Sequence, residues 1–350
     1  MPSFRLATVA EDLGGRPGYA KVRLADGSRA YALTQLTGPV SVGDEVVVNT
    51  TAVELRLGSG GWHIVHANLS RPEWVESGPG HLMKLRYTSL QVDTGAVDEA
   101  EGASCPPELD GTPVVVAGVH SQLAPIVAAI GAHRPGTRVA YVMTDGAALP
   151  LAMSDLVAGL VERGLVHATV TAGHAFGGDL EALNVPSALA AARHHLDAEA
   201  IVVAMGPGIA GTGTDLGFTG LEAAPALDAA AWLGGRPIAC LRMSDADPRP
   251  RHQGISHHSR TVLEATRSSV DVAVLAAYDL HDRPGGDRHR WLAIDPGDPV
   301  ALLAEAGVRV TTMGRPPQDD RWFFASAAAA GVLAVHHLAG TVPSALPGGD

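Results

Sequence analysis

Lysine is almost absent from this sequence, since its 350 residues contain only Lys21 and Lys84. Both precede residue 90, so the rest of the chain has neither a GK[ST] phosphate-binding loop nor a lysine that could form a Schiff base. The GxSxG and HExxH patterns are missing as well. These absences exclude Walker-type nucleotide hydrolysis, argue against pyridoxal chemistry, and remove the usual signatures of α/β hydrolases and zincins.

Cysteine and aromatic residues are also scarce. Cys105 and Cys240 are the two cysteines and form no CxxC pattern, which argues against a disulfide framework or a zinc–cysteine cluster and favours a reducing cytoplasm. Aromatic residues make up 4% of the chain and hydrophobic residues 46%. We therefore expect a globular protein whose core is built from Ala, Val, Leu and Ile.

No basic stripe, leader segment or membrane-spanning run is evident. The net charge is −12 and the positive charges are scattered, so we expect neither nucleic acid nor a membrane as a partner. The first ten residues lack an apolar leader core, and no apolar run reaches the roughly 18 residues that a spanning helix needs. We predict a cytoplasmic protein in which the most apolar stretch, ASAAAAGVLAVHHL, is a buried helix.

Two hydrophobic patterns divide the chain. Residues 1–92 contain short alternating segments separated by turn formers such as ADGS and GSGG, which predicts a small antiparallel β-barrel-like domain. An acidic, proline-containing stretch without a hydrophobic period predicts a linker at 93–112. The remainder divides into a domain at 113–339 and a loose tail at 340–350.

The 113–339 region alternates continuous apolar runs with segments of helical spacing. Runs such as PVVVAGV and AIVVAM are typical of strands that are buried on both faces and pair in a parallel sheet. The intervening segments often end in glycine, as helices do. We predict a doubly wound α/β domain with a mainly parallel, Rossmann-like sheet, in which VRVTTM at 308–313 forms the last strand.

Polar residues follow the predicted strands at the points where they end. The carboxyl ends of parallel strands share one edge of a sheet, where ligands bind, so we expect a site there. The candidates are His120, Ser121, Asp145, His174, a glycine-rich stretch at 205–220, and Arg242. Loops are polar in any case, but the recurrence of histidine at matching positions favours a functional interpretation.

The glycine-rich stretch, MGPGIAGTGTDLGFTG, contains a GxGxxG pattern after a strand. A dinucleotide fingerprint runs directly into a helix, whereas glycines and threonines continue here as far as Gly220, so a nicotinamide or flavin site is the weaker interpretation. We favour a loop whose N–H groups and hydroxyls surround an anion, with a simple glycine turn as the alternative. The expected contacts are Gly206, Gly208, Gly211, Thr212, Gly213 and Thr214.

A second polar cluster is RHQGISHHSRTVLEA, which contains His252, His257 and His258. Ser256 or Ser259 can cap the helix that follows. Adjacent helical residues point in different directions, so we expect at most one of the two consecutive histidines to face a ligand. A solvated helix cap is the alternative interpretation.

A divalent metal ion is the cofactor that the sequence leaves open. His120, Asp145 and His174 follow three successive strands and combine imidazole with carboxylate ligands, as hydrolytic metal sites do. Without a metal ion, a histidine at this edge can act as a general base.

Six segments together resemble an uncharacterised domain-of-unknown-function family of soluble bacterial proteins. They are VVVNTTAVELRLGSGGWHIV, HLMKLRYTSLQ, GVHSQLAPIVAA, YVMTDGAALPLAMSDLV, MGPGIAGTGTDLGFTG and GISHHSRTVLEA. The resemblance spans nearly the whole chain apart from the linker and tail, and it implies no reaction. The few lysines beside abundant arginine and alanine are typical of a GC-rich actinobacterial genome.

The leading hypothesis is an enzyme that acts on a small anionic metabolite, phosphorylated ones included, at the carboxyl edge of the sheet. The residues predicted to do this are the glycine loop, Ser121, Arg242 and His258 for the anion, and His120, Asp145, His174 and His257 for acid, base or metal-ligand functions. The alternatives are a non-catalytic ligand-sensing or interaction module and a dinucleotide-dependent oxidoreductase. The sequence leaves open whether the protein is catalytic, which substrate it takes, and whether it forms a homo-oligomer.

Overall fold

The protein is described by a computed structural model that covers residues 2–58, 60–75, 78, 80–99 and 105–347. The chain forms two compact units, Met1–Glu99 and Ala100–Asp350.

The first unit contains a closed five-stranded barrel, which confirms the predicted N-terminal barrel. Its strands are β1 (Phe4–Arg16), β2 (Tyr19–Leu24), β3 (Arg29–Ala32), β4 (Glu45–Asn49) and β5 (Trp62–Asn68), with short helices α1 (Thr34–Thr37) and α2 (Thr51–Glu54) between them. They pair in the order β1-β2-β3-β5-β4, and all pairs are antiparallel as predicted except β3 with β5, which are parallel. Alternate side chains such as Val22, Ala30 and Val48 fill the interior, because successive strand residues face opposite sides. A small ribbon of β6 (Met83–Lys84) and β7 (Val92–Asp93) follows.

The second unit is built on an eight-stranded, all-parallel sheet, which confirms the predicted α/β class. In chain order its strands are β8 (Pro113–Ala117), β9 (Val139–Thr144), β10 (Ala168–Ala172), β11 (Leu180–Ala182), β12 (Ala200–Met205), β13 (Arg236–Cys240), β16 (Asp271–Leu275) and β17 (Arg290–Ile294). An antiparallel ribbon of β14 (Met243–Ser244) and β15 (Gly254–Ile255) lies between β13 and β16 in sequence. The inner strands are buried apart from Arg236 at the start of β13, as continuous runs of Val and Ala require.

Helices cover both faces of this sheet. They are α3 (Leu123–His133), α4 (Asp155–Glu162), α5 (Val185–His194), α6 (Ala223–Trp232), α7 (His257–Ala265), α8 (Pro299–Glu305) and α9 (Arg321–Ala339). Helices α3, α8 and α9 pack together, and α6 contacts both α5 and α7. Helix α9 is long and apolar enough to cross a membrane, but 72% of its most apolar window is buried, and the helix packs against the sheet and α3 as a core helix does.

The strand order, β11-β10-β9-β12-β8-β13-β16-β17, fixes the position of the site. The chain leaves β8 for β9 on one side and later returns as β12, between those two strands, before it crosses to β13 on the other side. The loops that follow β12 and β8 therefore diverge at the centre of the sheet. Such a switch point is where open α/β sheets bind ligands.

The structure differs from the sequence-based prediction at the edges of the sheet, where β11 and β17 were not predicted, and in the tail. Residues 308–313 form no strand; Val308 and Val310 pack on the core from an irregular segment, and β17 forms the sheet edge instead. Within the expected loose tail, the N–H of Leu346 donates to the carbonyl of Trp291 (2.7 Å), and Val342 packs on the core. Apolar side chains thus dock this tail as far as Leu346, and residues 348–350 lie outside the described part.

Candidate functional site

The glycine-rich stretch after β12 folds as a small hairpin, here called the glycine hairpin (206–219). Gly211 and Phe218 form an antiparallel bridge, and the N–H of Thr212 donates to the carbonyl of Gly217 (2.7 Å). Thirteen residues separate Met205 from the 3-10 turn Thr219–Glu222 that leads into α6. In a dinucleotide fingerprint the glycines run directly into the helix, so the glycine hairpin does not have the geometry of that fingerprint.

Threonine hydroxyls hold the glycine hairpin closed. The hydroxyls of Thr212 and Thr214 lie 3.0 Å apart, and the N–H of Gly217 donates to Thr214 (3.1 Å). Gly208 and Gly213 adopt positive φ angles of 104° and 84°, which the turn requires. The structure therefore uses both threonine hydroxyls within the hairpin, whereas the sequence analysis assigned them to a ligand.

His120 anchors the start of the glycine hairpin. Its Nδ1 donates to the carbonyl of Met205 (3.0 Å), and its Nε2 accepts from the hydroxyl of Ser154 (2.8 Å), the residue that caps α4. Burial lowers the pKa of His120 to about 4, so the ring is neutral near pH 7. With both nitrogens engaged, His120 positions the loop in this structure. Ser121 is part-buried in the same turn.

Asp145 and His174 meet at the ends of the neighbouring strands β9 and β10, on the far side of β12 from His120. The N–H of His174 donates to the carboxylate of Asp145 (2.9 Å). Beside them lies a cavity of about 430 Å³, here called the carboxyl cavity, which Asp145 and Glu222 line together with Asn184 and apolar side chains of α5 and α6. Its volume suits a small ligand.

Glu222 is the titratable group of the carboxyl cavity that the sequence analysis missed. Its carboxyl accepts a hydrogen bond from the hydroxyl of Thr144. Burial, reinforced by the charge of Asp145, raises the pKa of Glu222 to about 7. A carboxyl group with this pKa can donate or accept a proton at neutral pH.

Arg242 lies behind the site in a buried network of arginines and carboxylates. It follows β13 and is 6% exposed, and its guanidinium lies 3.7 Å from the carboxylate of Asp247. Arg249 and Arg315 pair with the same carboxylate at 2.7 and 3.2 Å. Asp320 completes this arginine network through Arg315 (2.9 Å). Burial lowers the pKa of Arg242 to about 10, which still leaves it charged at neutral pH.

Three histidines converge in front of Arg242 and form what we call the histidine cluster. The chain passes from β14 through an excursion that ends at His252, then through β15 to Ser256, which caps α7. The ring centroids of His252 and His257 are 4.9 Å apart, and those of His257 and His258 are 4.4 Å apart. One ring nitrogen of each lies within 4.8 Å of the others.

This convergence corrects the expectation that His257 and His258 diverge. Both residues lie in the first turn of α7, where no preceding turn restricts the side-chain rotamers. Their rings can therefore turn back over the helix start towards His252. The spacing rule for adjacent helical residues applies to a helix interior and fails at this position.

The histidine cluster is neutral near pH 7. Burial and the charge of Arg242 lower the pKa of His252 and His258 to about 3 each. The pKa of His257 is lowered as well, by burial and by the charge of Arg251. The Nε2 atom of His257 is buried and has no hydrogen-bond partner among the described residues. An orphaned buried nitrogen is costly and calls for an explanation.

The glycine hairpin and the histidine cluster are in contact. The ring of Phe218 stacks on His258 with centroids 3.9 Å apart and planes 4° apart. At the tip, a Cβ atom on Gly213 would lie 3.7 Å from the guanidinium of Arg251. Arg242, Phe218 and His258 enclose a cavity of only about 20 Å³, room for about one water molecule.

The structure thus joins only some of the predicted site residues. It brings together the glycine hairpin, Arg242, His257 and His258, and it adds His252. It does not assemble the predicted metal set. Both ring nitrogens of His120 are bonded to Met205 and Ser154, and among the described residues the ligand atoms of His120, Asp145 and His174 do not lie within 4.8 Å of one another.

The sequence profile of a family described as "Protein of unknown function (DUF3866)" matches residues 29–331. A search of curated proteins returned no match.

Proposed function

We propose that this chain, which belongs to the DUF3866 family, is an enzyme that acts on a small anionic metabolite where the glycine hairpin meets the histidine cluster. The observation that carries the proposal is the guanidinium charge gathered there. Arg242 lies behind His258, and Arg251 lies beside the hairpin tip at Gly213. Guanidinium groups bind carboxylate and phosphate through charge-assisted hydrogen bonds.

The two arginines act at different depths. Arg251 is exposed and provides the first contact for an incoming anion. Arg242 borders the 20 Å³ cavity, which is too small for a phosphate group, so access to it requires that Phe218 move off His258. The glycine hairpin can supply that movement, since its tip turns on glycines. The hairpin's contacts to the anion then come from backbone N–H groups, because its threonine hydroxyls are used internally.

The histidine cluster supplies the reactive groups in this proposal. Its rings are neutral near pH 7, and neutral imidazole can accept a proton or ligate a metal ion. Asp145 and His174 take part only through the neighbouring carboxyl cavity, and His120 acts by positioning the hairpin.

A ligand-binding module without catalysis is a second candidate, and the carboxyl cavity favours it. The cavity has the volume of a ligand pocket and an apolar wall. Glu222 lines this cavity and lies four residues after Phe218, which covers His258 of the histidine cluster. A ligand in the cavity that moves Glu222 would therefore also move Phe218.

The test is calorimetric titration of the full chain with inorganic phosphate and pyrophosphate, followed by incubation with a panel of phosphomonoesters and carboxylates and detection of products by mass spectrometry. We expect saturable anion binding that weakens about tenfold in Arg251→Met, equivalent to about 1.4 kcal/mol. Arg193→Met, which alters another arginine of the same unit, is the matched control and should leave binding unchanged. Binding without turnover of any panel member would favour the module, and equal binding by Arg251→Met and the original protein would contradict the proposed site.

We also propose a cytoplasmic location and small-molecule partners. Cys240 is a buried thiol that forms no disulfide, as a reducing compartment favours. The net charge of −12 makes a polyanion an unfavourable partner.

A further inference from the structure

The histidine cluster has the composition of a metal site. It offers three imidazoles from two adjacent structural elements, the 3-10 turn Pro250–His252 and the first turn of α7. Within the described part of the chain, this is the group of His, Cys, Asp and Glu side chains whose ligand atoms approach closely enough to hold an ion. We propose that His252, His257 and His258 bind a transition-metal ion of the zinc type.

The hydrogen bonds indicate which nitrogens are available. Nδ1 of His252 is bonded to the hydroxyl of Ser256 (2.7 Å), which leaves Nε2 as its ligand atom. This resembles the outer hydrogen bond that orients ligating histidines in metalloproteins. The buried Nε2 of His257 has no protein partner among the described residues, and a metal ion would satisfy it.

His258 already uses one ring nitrogen in a hydrogen bond. Its Nδ1 accepts from the guanidinium of Arg242 (3.1 Å), so a metal ion at this nitrogen takes the place of that hydrogen bond. Arg242 keeps its ion pair with Asp247, which limits the cost of the exchange. The guanidinium N–H that is released then faces the site and can bind an anion.

The ligand set selects the metal. Three imidazoles without a carboxylate suit Zn²⁺ and other first-row ions and do not suit Mg²⁺ or Ca²⁺, which need oxygen ligands. The positive charges of nearby Arg242 and Arg251 repel any cation, so only an ion that bonds strongly to imidazole nitrogen can bind here. This further favours Zn²⁺ over Mg²⁺ and Ca²⁺. Tetrahedral Zn²⁺ with bonds of about 2.0 Å places its ligand atoms about 3.3 Å apart. Small rotations of the rings from their present spacing of up to 4.8 Å achieve this.

Three protein ligands leave a fourth position open, as in catalytic zinc sites. Arg242 and Arg251 lie near these histidines, so an anionic substrate could bind the ion and a guanidinium together. This last role depends on the proposed function, whereas the metal site itself does not.

The experiment is a titration of the chelator-treated full chain with ZnCl₂, CoCl₂ and MgCl₂ by calorimetry, with the visible spectrum of Co²⁺ as a second readout. We expect one equivalent of Zn²⁺ with a Kd of about 1 µM or tighter, the spectrum of Co²⁺ with nitrogen ligands, and no binding of Mg²⁺. His257→Ala, at a part-exposed position, should weaken Zn²⁺ binding about 100-fold.

Matched variants make the result specific. His281→Ala alters an exposed histidine and His336→Ala a part-buried one, and both variants should bind Zn²⁺ as the original protein does. His252→Ala serves as a second ligand variant, with circular dichroism to verify its fold. Arg251→Met should bind Zn²⁺ at least as tightly, because it removes a neighbouring positive charge.

The outcomes separate the two proposals. Absence of stoichiometric Zn²⁺ binding, or binding that His257→Ala and a folded His252→Ala leave unchanged, would overturn the metal site. Zn²⁺ binding with no effect of Arg251→Met on phosphate binding would leave the metal site standing and overturn the anion site of the proposed function.

Discussion

Nδ1 of His120 donates a hydrogen bond to the carbonyl of Met205, the last residue of β12. His120 follows β8, which lies beside β12 in the sheet, so this bond ties the first strand-end loop of the domain to the start of the glycine hairpin. The opposite nitrogen, Nε2, is fixed by Ser154. The ring thus joins three segments that are distant in sequence.

We expect His120→Ala to lower the free energy of unfolding by about 2–4 kcal/mol, because it opens a cavity and leaves the buried hydroxyl of Ser154 without this partner. His133→Ala is the control, since His133 is exposed at the end of α3, and its effect should stay within about 0.5 kcal/mol. Urea unfolding measures both. Equal stabilities of the two variants would contradict the anchoring role of His120.

Asp247 is the centre of charge compensation behind the histidine cluster. Asp247→Asn leaves Arg242, Arg249 and Arg315 without their shared carboxylate, and we expect a loss of about 3–5 kcal/mol in unfolding free energy. Asp282→Asn removes one partner of an exposed ion pair with Arg260 and should cost less than about 1 kcal/mol. Calorimetric unfolding distinguishes the two, and a mild effect of Asp247→Asn would show that the network is dispensable.

The raised pKa of Glu222 predicts that the stability of the protein depends on pH. Its pKa is raised from 4.5 to about 7 in the folded protein, so between these values the folded state holds a proton that the unfolded state has lost. The contribution of Glu222 to stability therefore falls as pH rises from about 4.5 to 7 and changes little above that range. We expect Glu222→Gln to gain stability relative to the original protein across this window, by at most about 3 kcal/mol.

The measurement is the difference in unfolding free energy between the two proteins at pH 5 and pH 8. Glu162→Gln, at an exposed position of α4, is the control and should show no such change. A pH-independent difference for Glu222→Gln would mean that its carboxyl titrates normally.

The sequence predicts those parts of the fold that depend on local pattern. The apolar runs at β8, β9 and β12 identify strands buried on both faces, and the rule for parallel sheets places their loops on one edge. The segment 308–313 shows the limit of this reasoning. Its alternating valines resemble a strand, but whether a neighbouring edge is free to pair with it depends on the whole sheet.

The site was predictable in location but not in composition. Arg242, His257 and His258 follow from their places at a strand end and a helix start. Glu222 does not, because its raised pKa arises from burial beside Asp145, far away in the sequence. Asp247 does not either, because its burial and its ion pair with Arg315 depend on the fold. His252 was visible as part of a histidine-rich stretch, but the direction of its ring depends on the path of the excursion that ends there.

The insertion of β12 between β9 and β8 has a consequence for how the protein is made. These two strands follow one another along the chain but share no backbone hydrogen bonds, since β12 pairs with both. A nascent chain that has emerged only to residue 199 therefore exposes apolar edges of β8 and β9, because β12, which pairs with both, has not yet been synthesised. We expect ribosome-bound chains of this length to be prone to association through these edges. A cut in the polypeptide just before β12 separates β8 and β9 from the strand that pairs with both.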